Sequence, residues 1–427
     1  MNTVFAADPW YDASWLYRTK ITVDRTKVAS STGAVLTNFP ILVSTTSISF
    51  KDYSRGGSVG KAGGGDILFT AADGTTALNY EIETYSSSTG QIVAWVKIPT
   101  LATSTNTDIY MYYGNATATD PIASVATGVW NDGGSNYFKG VWHLPNGVSL
   151  GANDSTANAK NGTINAGVTA TTGQVGGSGL FNGSSGYING SAVSPSALTT
   201  FTVSAWVKRN GNQSINSAVV ADVYTSAVNY SLYFNGATTL IGGFYNGSWR
   251  NTSAVTLSNG VWTYVVYTYD GAKQRLYTND NVPLETSLVS TPTSNNLGYR
   301  IGRRWDGGNY VNGSIDEVRI SSGARSADWI RTEYNNQSSP STFSSFAVEE
   351  VQTSTPGAVP IPTATIGNSQ VSLVWSAPSS SGGSAVTDYV IEYKLTSTST
   401  WSIFADGAST VTSGVVTGLI NGSSYDF

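Results

Sequence analysis

The chain has 427 residues, enough for about two to four domains. Charged and aromatic residues each make up 11% of it, against roughly 25% charged in an ordinary soluble domain, so its polarity comes from Ser, Thr, Asn and Gly, which suits turn-rich β-structure. The net charge of -5 excludes strong attraction to nucleic-acid phosphates, the lack of cysteine excludes disulfides and thiol catalysis, and His143 as the sole histidine excludes Cys/His zinc sites.

No apolar run approaches the roughly 18 residues that a membrane span needs. Residues 1–9 read as a leader remnant, because Val4, Phe5 and Ala6 look like the small-residue end of a secretory signal, and export is the expectation. From residue 10 to 118, short period-2 runs separated by Gly, Ser and Asn predict half-buried strands: Tyr17, Ile21 and Val23; Phe39, Ile41 and Val43; Ile92, Ala94, Val96 and Ile98. Here Trp15-Leu16-Tyr17-Arg18, Leu36-Thr37-Asn38-Phe39-Pro40, Asp66-Ile67-Leu68-Phe69-Thr70, Trp95-Val96-Lys97-Ile98-Pro99 and Tyr112-Tyr113-Gly114-Asn115 resemble, in order, a bacterial domain of unknown function that often precedes lectin-like modules. The resemblance implies a β-sandwich and brings no activity.

A second β-rich stretch, residues 136–345, contains the alternating run Phe201 to Val207 and an aromatic strand from Trp262 to Tyr269 closed by Asp270-Gly271. Gly140-Val141-Trp142-His143-Leu144, Asp154-Ser155-Thr156, Phe181-Asn182-Gly183, Ser204-Ala205-Trp206-Val207 and Gly313 to Ile320 resemble the LamG-like, concanavalin A-like jelly roll. Near its end, Ser326 as N-cap, Asp328 in the first turn, and Ala327, Ile330 and Tyr334 on one face predict a packing helix. Residues 346–362 read as a linker. In residues 363–427, Val371 to Trp375, Tyr389 to Tyr393, Leu419 and Tyr425 resemble a fibronectin type III domain, whose late tyrosine makes a corner hydrogen bond. The sequence stops at Phe427, inside the corresponding strand, so the chain reads as a fragment truncated at both ends. The expected fold is all-β: three consecutive β-sandwich modules, the middle one a LamG-like jelly roll and the last an incomplete fibronectin type III domain.

No catalytic constellation stands out. His143 is the only imidazole base available and reads as structural. Glu81 and Glu83 have the even spacing of paired carboxylates on one strand face, yet read as a solvated face of the first module. Asp316 and Glu317 are adjacent, so they are expected on opposite faces; Asp316 would share the core face with Val318 and Ile320 and need a compensating partner. The jelly-roll resemblance suggests a structural calcium there, and Asp154, beside Asn153, Ser155 and Asn158, is a second oxygen-rich candidate.

For ligand binding, Tyr245 and Trp249 near Phe244, and Arg304, Trp305 and Tyr310 near Arg303, Asp306 and Asn309, offer flat aromatic faces beside planar polar groups, as a sugar ring requires. The expectation is therefore a non-enzymatic bacterial protein, secreted or at the cell surface, whose jelly roll binds a polysaccharide, a glycoconjugate or another extracellular polymer. The alternatives are the accessory region of a secreted glycoside hydrolase whose catalytic domain is missing, or a purely structural adhesin or stalk; extracellular protein is a second candidate partner. No nucleic-acid partner is expected.

Overall fold

The computed structural model describes residues 9–119, 127–131, 138–145, 150–294, 296–352, 356–379, 381–382 and 385–427. It is all-β, as expected, and divides into two compact units at Glu349/Glu350.

In the first unit the period-2 runs become strands. Leu36–Thr46 pairs with Gln91–Leu101, which pairs in turn with Tyr80–Ser86. A second sheet runs in the order Ser344–Phe346, Tyr17–Val23, Thr107–Tyr113, Leu68–Ala71, so a segment from beyond the jelly roll returns to pair with the unit's earliest strand. Phe39, Ile41, Val96 and Met111 share their core with Phe138, Val141, Val175, Trp329 and Phe343, which come from the other side of residue 118. Each such side chain contributes about 1.5–3 kcal/mol when buried, so the two N-terminal segments are energetically tied.

The jelly roll consists of two antiparallel sheets. One has Phe201–Arg209 and Asn312–Ser321 as central neighbours; the other carries Val228–Phe234, Thr239–Tyr245 and Trp249–Asn251 toward one edge. Val203, Val207, Leu232, Phe244, Tyr267, Ile315, Val318 and Ile320 form the core between them.

The strand Asn312–Ser321 corrects one expectation. Its pairing with Phe201–Arg209 slips between Ser204 and Trp206, and Glu317 sits at the slip in the left-handed region, with φ 50. This β-bulge resets the side-chain alternation. Ile315, Val318 and Ile320 enter the core, whereas Asp316, Glu317 and Arg319 lie on the opposite face, where Trp206 meets Ile330. Asp316 is thus not on the core side, and the two adjacent acids share a face.

The predicted helix spans Ala327–Ser338, and the Ser326 hydroxyl caps it by accepting from the Trp329 amide at 3.2 Å. It is buried on more sides than a single packing face requires. Ile330 packs with Trp206 and Tyr264, while Trp329 meets Phe39 and the Asn336 side chain bonds both the amide and the carbonyl of Leu42.

The second unit has two three-stranded sheets, Thr363–Gly367, Gln370–Val374 and Ser413–Thr417 in one, and Ser402–Phe404, Ile391–Leu395 and Tyr425–Asp426 in the other. Leu373, Ile391, Val416 and Leu419 form its small core, and the Ile420 amide donates to the Tyr425 hydroxyl at 3.1 Å.

Candidate functional site

On the jelly roll, strand alternation divides neighbouring aromatics between two faces. Leu240, Gly242 and Phe244 turn toward the core, so Ile241 and Tyr245 face outward; Tyr233 does the same on the adjacent strand. The hairpin through Gly247, whose φ of 102 suits glycine, places Trp249 directly opposite Tyr245, with ring centroids 5.6 Å apart. Trp305 comes from the loop before the last strand and packs beneath them, 4.5 Å from Trp249 and 4.9 Å from Tyr233. That loop is held by the Arg300 guanidinium, which donates to the carbonyls of Arg304 and Trp305.

The result is an open groove of about 520 Å³ lined by Tyr224, Tyr245, Trp249 and Trp305 with Asn216, Asn235, Asn251, Arg304 and Asp306. Tyr245 and Trp249 are half-buried, whereas Trp305 is only 4% exposed and serves as the floor. Arg304 pairs with Asp306 at 2.9 Å, so its charge is locally balanced. Flat aromatic surface flanked by side-chain amides can stack on a sugar's C–H face and hydrogen-bond its hydroxyls.

Among the residues singled out from sequence, Tyr245, Trp249, Arg304 and Trp305 meet in this groove. Tyr310 does not: it packs with Tyr187 and beneath Arg303. Phe244 is core. Tyr224, Tyr233 and Asn251 were missed, although Tyr233 has the same outward strand parity as Tyr245.

A second constellation is buried within the same unit, and it overturns the reading of Glu81 and Glu83 as a solvated face. His143 Nδ1 lies 2.7 Å from Glu317 Oε1 and 3.8 Å from Glu83 Oε2, and its Nε2 lies 3.3 Å from Glu81 Oε2. Glu81 accepts from the Ser155 hydroxyl and the Trp130 indole, each at 2.6 Å, and Glu83 accepts from the Trp95 indole at 3.1 Å. Arg319 bridges Glu317 at 2.8 Å and Glu333 at 2.9 Å, and stacks over Trp95.

Burial opposes charge on all these groups, but the neighbours decide the outcome. Glu317 and Glu81 hold the His143 imidazole protonated well above its ordinary range despite its burial. In return His143 and Arg319 keep Glu317 low against the cost of burial. Glu83 has no such net help: burial, with Glu317 and Glu81 nearby, pushes it up to about 8. Asp316 is likewise raised well above the usual carboxylate range, first by burial and then by Glu317.

The calcium expectation divides. Asp154 does not fit: its carboxylate already accepts from the amides of Val141, Thr156 and Lys160 and from the Thr156 hydroxyl, which accounts for its burial without an ion. Asp316 Oδ2 accepts from the Gln174 and Val175 amides, while its Oδ1 has no hydrogen-bond partner among the described residues. Gly173 permits this approach, since a Cβ there would lie 2.5 Å from Asp316 Oδ2. Among the described residues, the hydrogen-bond partners of Asp154 and those of Asp316 do not overlap.

Residues 63–142 match the Domain of unknown function (DUF2341), and residues 182–331 match the Concanavalin A-like lectin/glucanases superfamily. The chain thus carries a DUF2341 domain followed by a concanavalin A-like domain, in the order expected from sequence. Similar solved structures include domain 4 of AbnA, a GH43 extracellular arabinanase from Geobacillus stearothermophilus, in complex with arabinotriose (20% identity, 46% of this chain and 97% of that one, TM-score 0.39). They also include the binding domain of Paraclostridial Mosquitocidal Protein 1 (14% identity, 47% of this chain and 52% of that one, TM-score 0.38). A third is the Ruminococcus gnavus IT-sialidase CBM40 bound to alpha2,3 sialyllactose (15% identity, 32% and 82% covered, TM-score 0.28). The chain spans about half the length of the toxin binding domain. These likenesses are too distant to argue from, and the two family matches carry the assignment.

Proposed function

We propose that this is a non-enzymatic binding protein whose concanavalin A-like domain takes a polysaccharide or glycoconjugate in the groove formed by Tyr245, Trp249 and Trp305. The observation that carries the reading is the pairing of two half-buried aromatic residues, Tyr245 and Trp249, over a buried tryptophan floor and beside side-chain amides in an open groove. A surface that only had to be soluble would not stack aromatics there. Support for a non-catalytic role comes from the sole imidazole: His143 is buried and engaged at both nitrogens by carboxylates, as suits a structural side chain. An extracellular or surface location, and a fibronectin type III identity for residues 363–427, belong to the same proposal. They are supported by the sparsely charged, Ser/Thr/Asn-rich composition and by the Tyr425 corner bond. No helix among the described residues is long and apolar enough to cross a membrane.

The test is a glycan array probed with the full chain and with Trp249→Ala and Tyr245→Ala. The reading expects binding by the wild type and its loss in both variants at unchanged melting temperature. An array with no binding, or one on which the variants bind as well as the wild type, contradicts it.

A further inference from the structure

Around His143 the carboxylates of Glu81, Glu83, Asp316, Glu317 and Glu333 outnumber the cationic groups, His143 and Arg319, among the described residues. Their side chains are largely buried, Glu81 being the most exposed at 16%, and among the described residues two oxygens, Glu83 Oε1 and Asp316 Oδ1, have no hydrogen-bond partner. Leaving such oxygens buried without a partner is costly, more so when they are charged. If the two acids are ionised, the pocket holds uncompensated charge; if they are neutral, it holds unpartnered polar oxygens. A divalent cation held by Glu83 would relieve either condition at that carboxylate and offset the excess negative charge beside Asp316, which lies outside the ligand set.

The geometry is that of a ligand set. One atom each from Glu83, His143 and Glu317 lie within 4.8 Å of one another. A zinc-sized ion bound at roughly 2.0–2.2 Å would take the place of the proton between His143 Nδ1 and Glu317 Oε1, now 2.7 Å apart, so that this pair opens slightly while Glu83 moves in. His143 Nε2 is held by Glu81 and Glu317 Oε2 by Arg319, and Glu83 Oε2, the oxygen 3.8 Å from His143 Nδ1, also accepts from the Trp95 indole. That is the outer-shell pattern which sets tautomer and orientation at metal sites.

We infer that Glu83, His143 and Glu317 form a structural site for a first-row divalent ion of the zinc class, clasping the strand Tyr80–Ser86 to the jelly-roll residues His143 and Glu317. One imidazole nitrogen with carboxylates suits such an ion better than calcium, which prefers six to eight oxygens. The inference is independent of glycan binding.

The test uses the tag-free full chain, in which His143 provides the only imidazole signal. After refolding with zinc and removal of free metal, elemental analysis should find about one zinc per chain. Nitrogen-15 spectra of the imidazole should show a neutral ring metallated at Nδ1 and protonated at Nε2. Glu83→Gln should retain at least tenfold less zinc. An imidazolium protonated at both nitrogens with or without zinc, retention of calcium alone, or equal zinc retention by Glu83→Gln overturns the site; if that variant does not fold, the wild-type imidazole spectrum decides.

Discussion

Trp142 and His143 are neighbours in sequence but belong to different environments: Trp142 is in the jelly-roll core, its ring 4.3 Å from that of Tyr299, whereas the His143 ring stacks 5.5 Å from that of Trp95. The strand containing Trp142 therefore contributes to two interiors at once. This explains why the DUF2341 segment and the jelly roll form one compact unit.

Separating them should be costly. A polypeptide of residues 136–349 alone would expose Phe138, Val141, Val175, Trp329 and Phe343, each otherwise covered by the shared core. We expect it to aggregate, or to melt well below residues 9–349, which should unfold in a single transition. Calorimetry on both pieces checks this. Two independent transitions within 9–349 would contradict it.

Breaking the buried ion cluster should be nearly as damaging. Arg319→Leu leaves Glu317 and Glu333 without their shared cation, and removal of one partner from a buried pair costs about 3–5 kcal/mol. Urea denaturation of the full chain should show that loss in the first unit; a change below about 1 kcal/mol would mean that water replaces the guanidinium.

How much of this was legible beforehand follows from how local each signal is. The strands around Ile21, Val96 and Val203 show period 2, and Ser326 marks its helix because a cap needs only neighbouring residues. The bulge at Glu317 leaves no such trace: glutamate is uncommon at positive φ, and one inserted residue reverses the inside and outside of Asp316. Glu81 and Glu83 looked solvent-facing because their partner, His143, lies some sixty residues downstream. The groove was half visible: Tyr245 and Trp249 could be grouped by their shared hairpin, but Tyr310 was placed with Trp305 on sequence proximity alone.

Asp222 gives a pH dependence of known sign. Burial pushes its carboxyl up to about 6, against hydrogen bonds from the Asn229 amide and the Ser294 hydroxyl. An acid raised in the folded state binds its proton more tightly there than when unfolded, so its contribution to stability falls as pH rises from about 4 to 6. Asp222→Asn should therefore gain on the wild type by at most about 3 kcal/mol between pH 4 and pH 7.5. Denaturation midpoints at both pH values measure it, and a pH-independent difference would refute the assignment.

Asp154 should act through hydrogen bonds rather than an ion. Asp154→Ala removes the acceptor for three amides and a hydroxyl and should cost about 2–4 kcal/mol, and added calcium should not change that difference. Thermal melts of both proteins with and without millimolar calcium provide the comparison; a calcium-dependent gain confined to the wild type would restore the metal reading.

Binding by the groove is most directly tested by affinity electrophoresis through gels cast with xylan, arabinan, β-glucan or galactomannan, comparing the wild type with Trp249→Ala and Trp305→Ala. The half-buried Trp249 should lose retardation with little loss of fold, whereas replacing the buried floor Trp305 should also cost about 3–5 kcal/mol of stability. Retardation of the wild type by at least one polysaccharide, abolished in folded Trp249→Ala, is the predicted result. Equal mobility of the wild type and Trp249→Ala in every gel would contradict it.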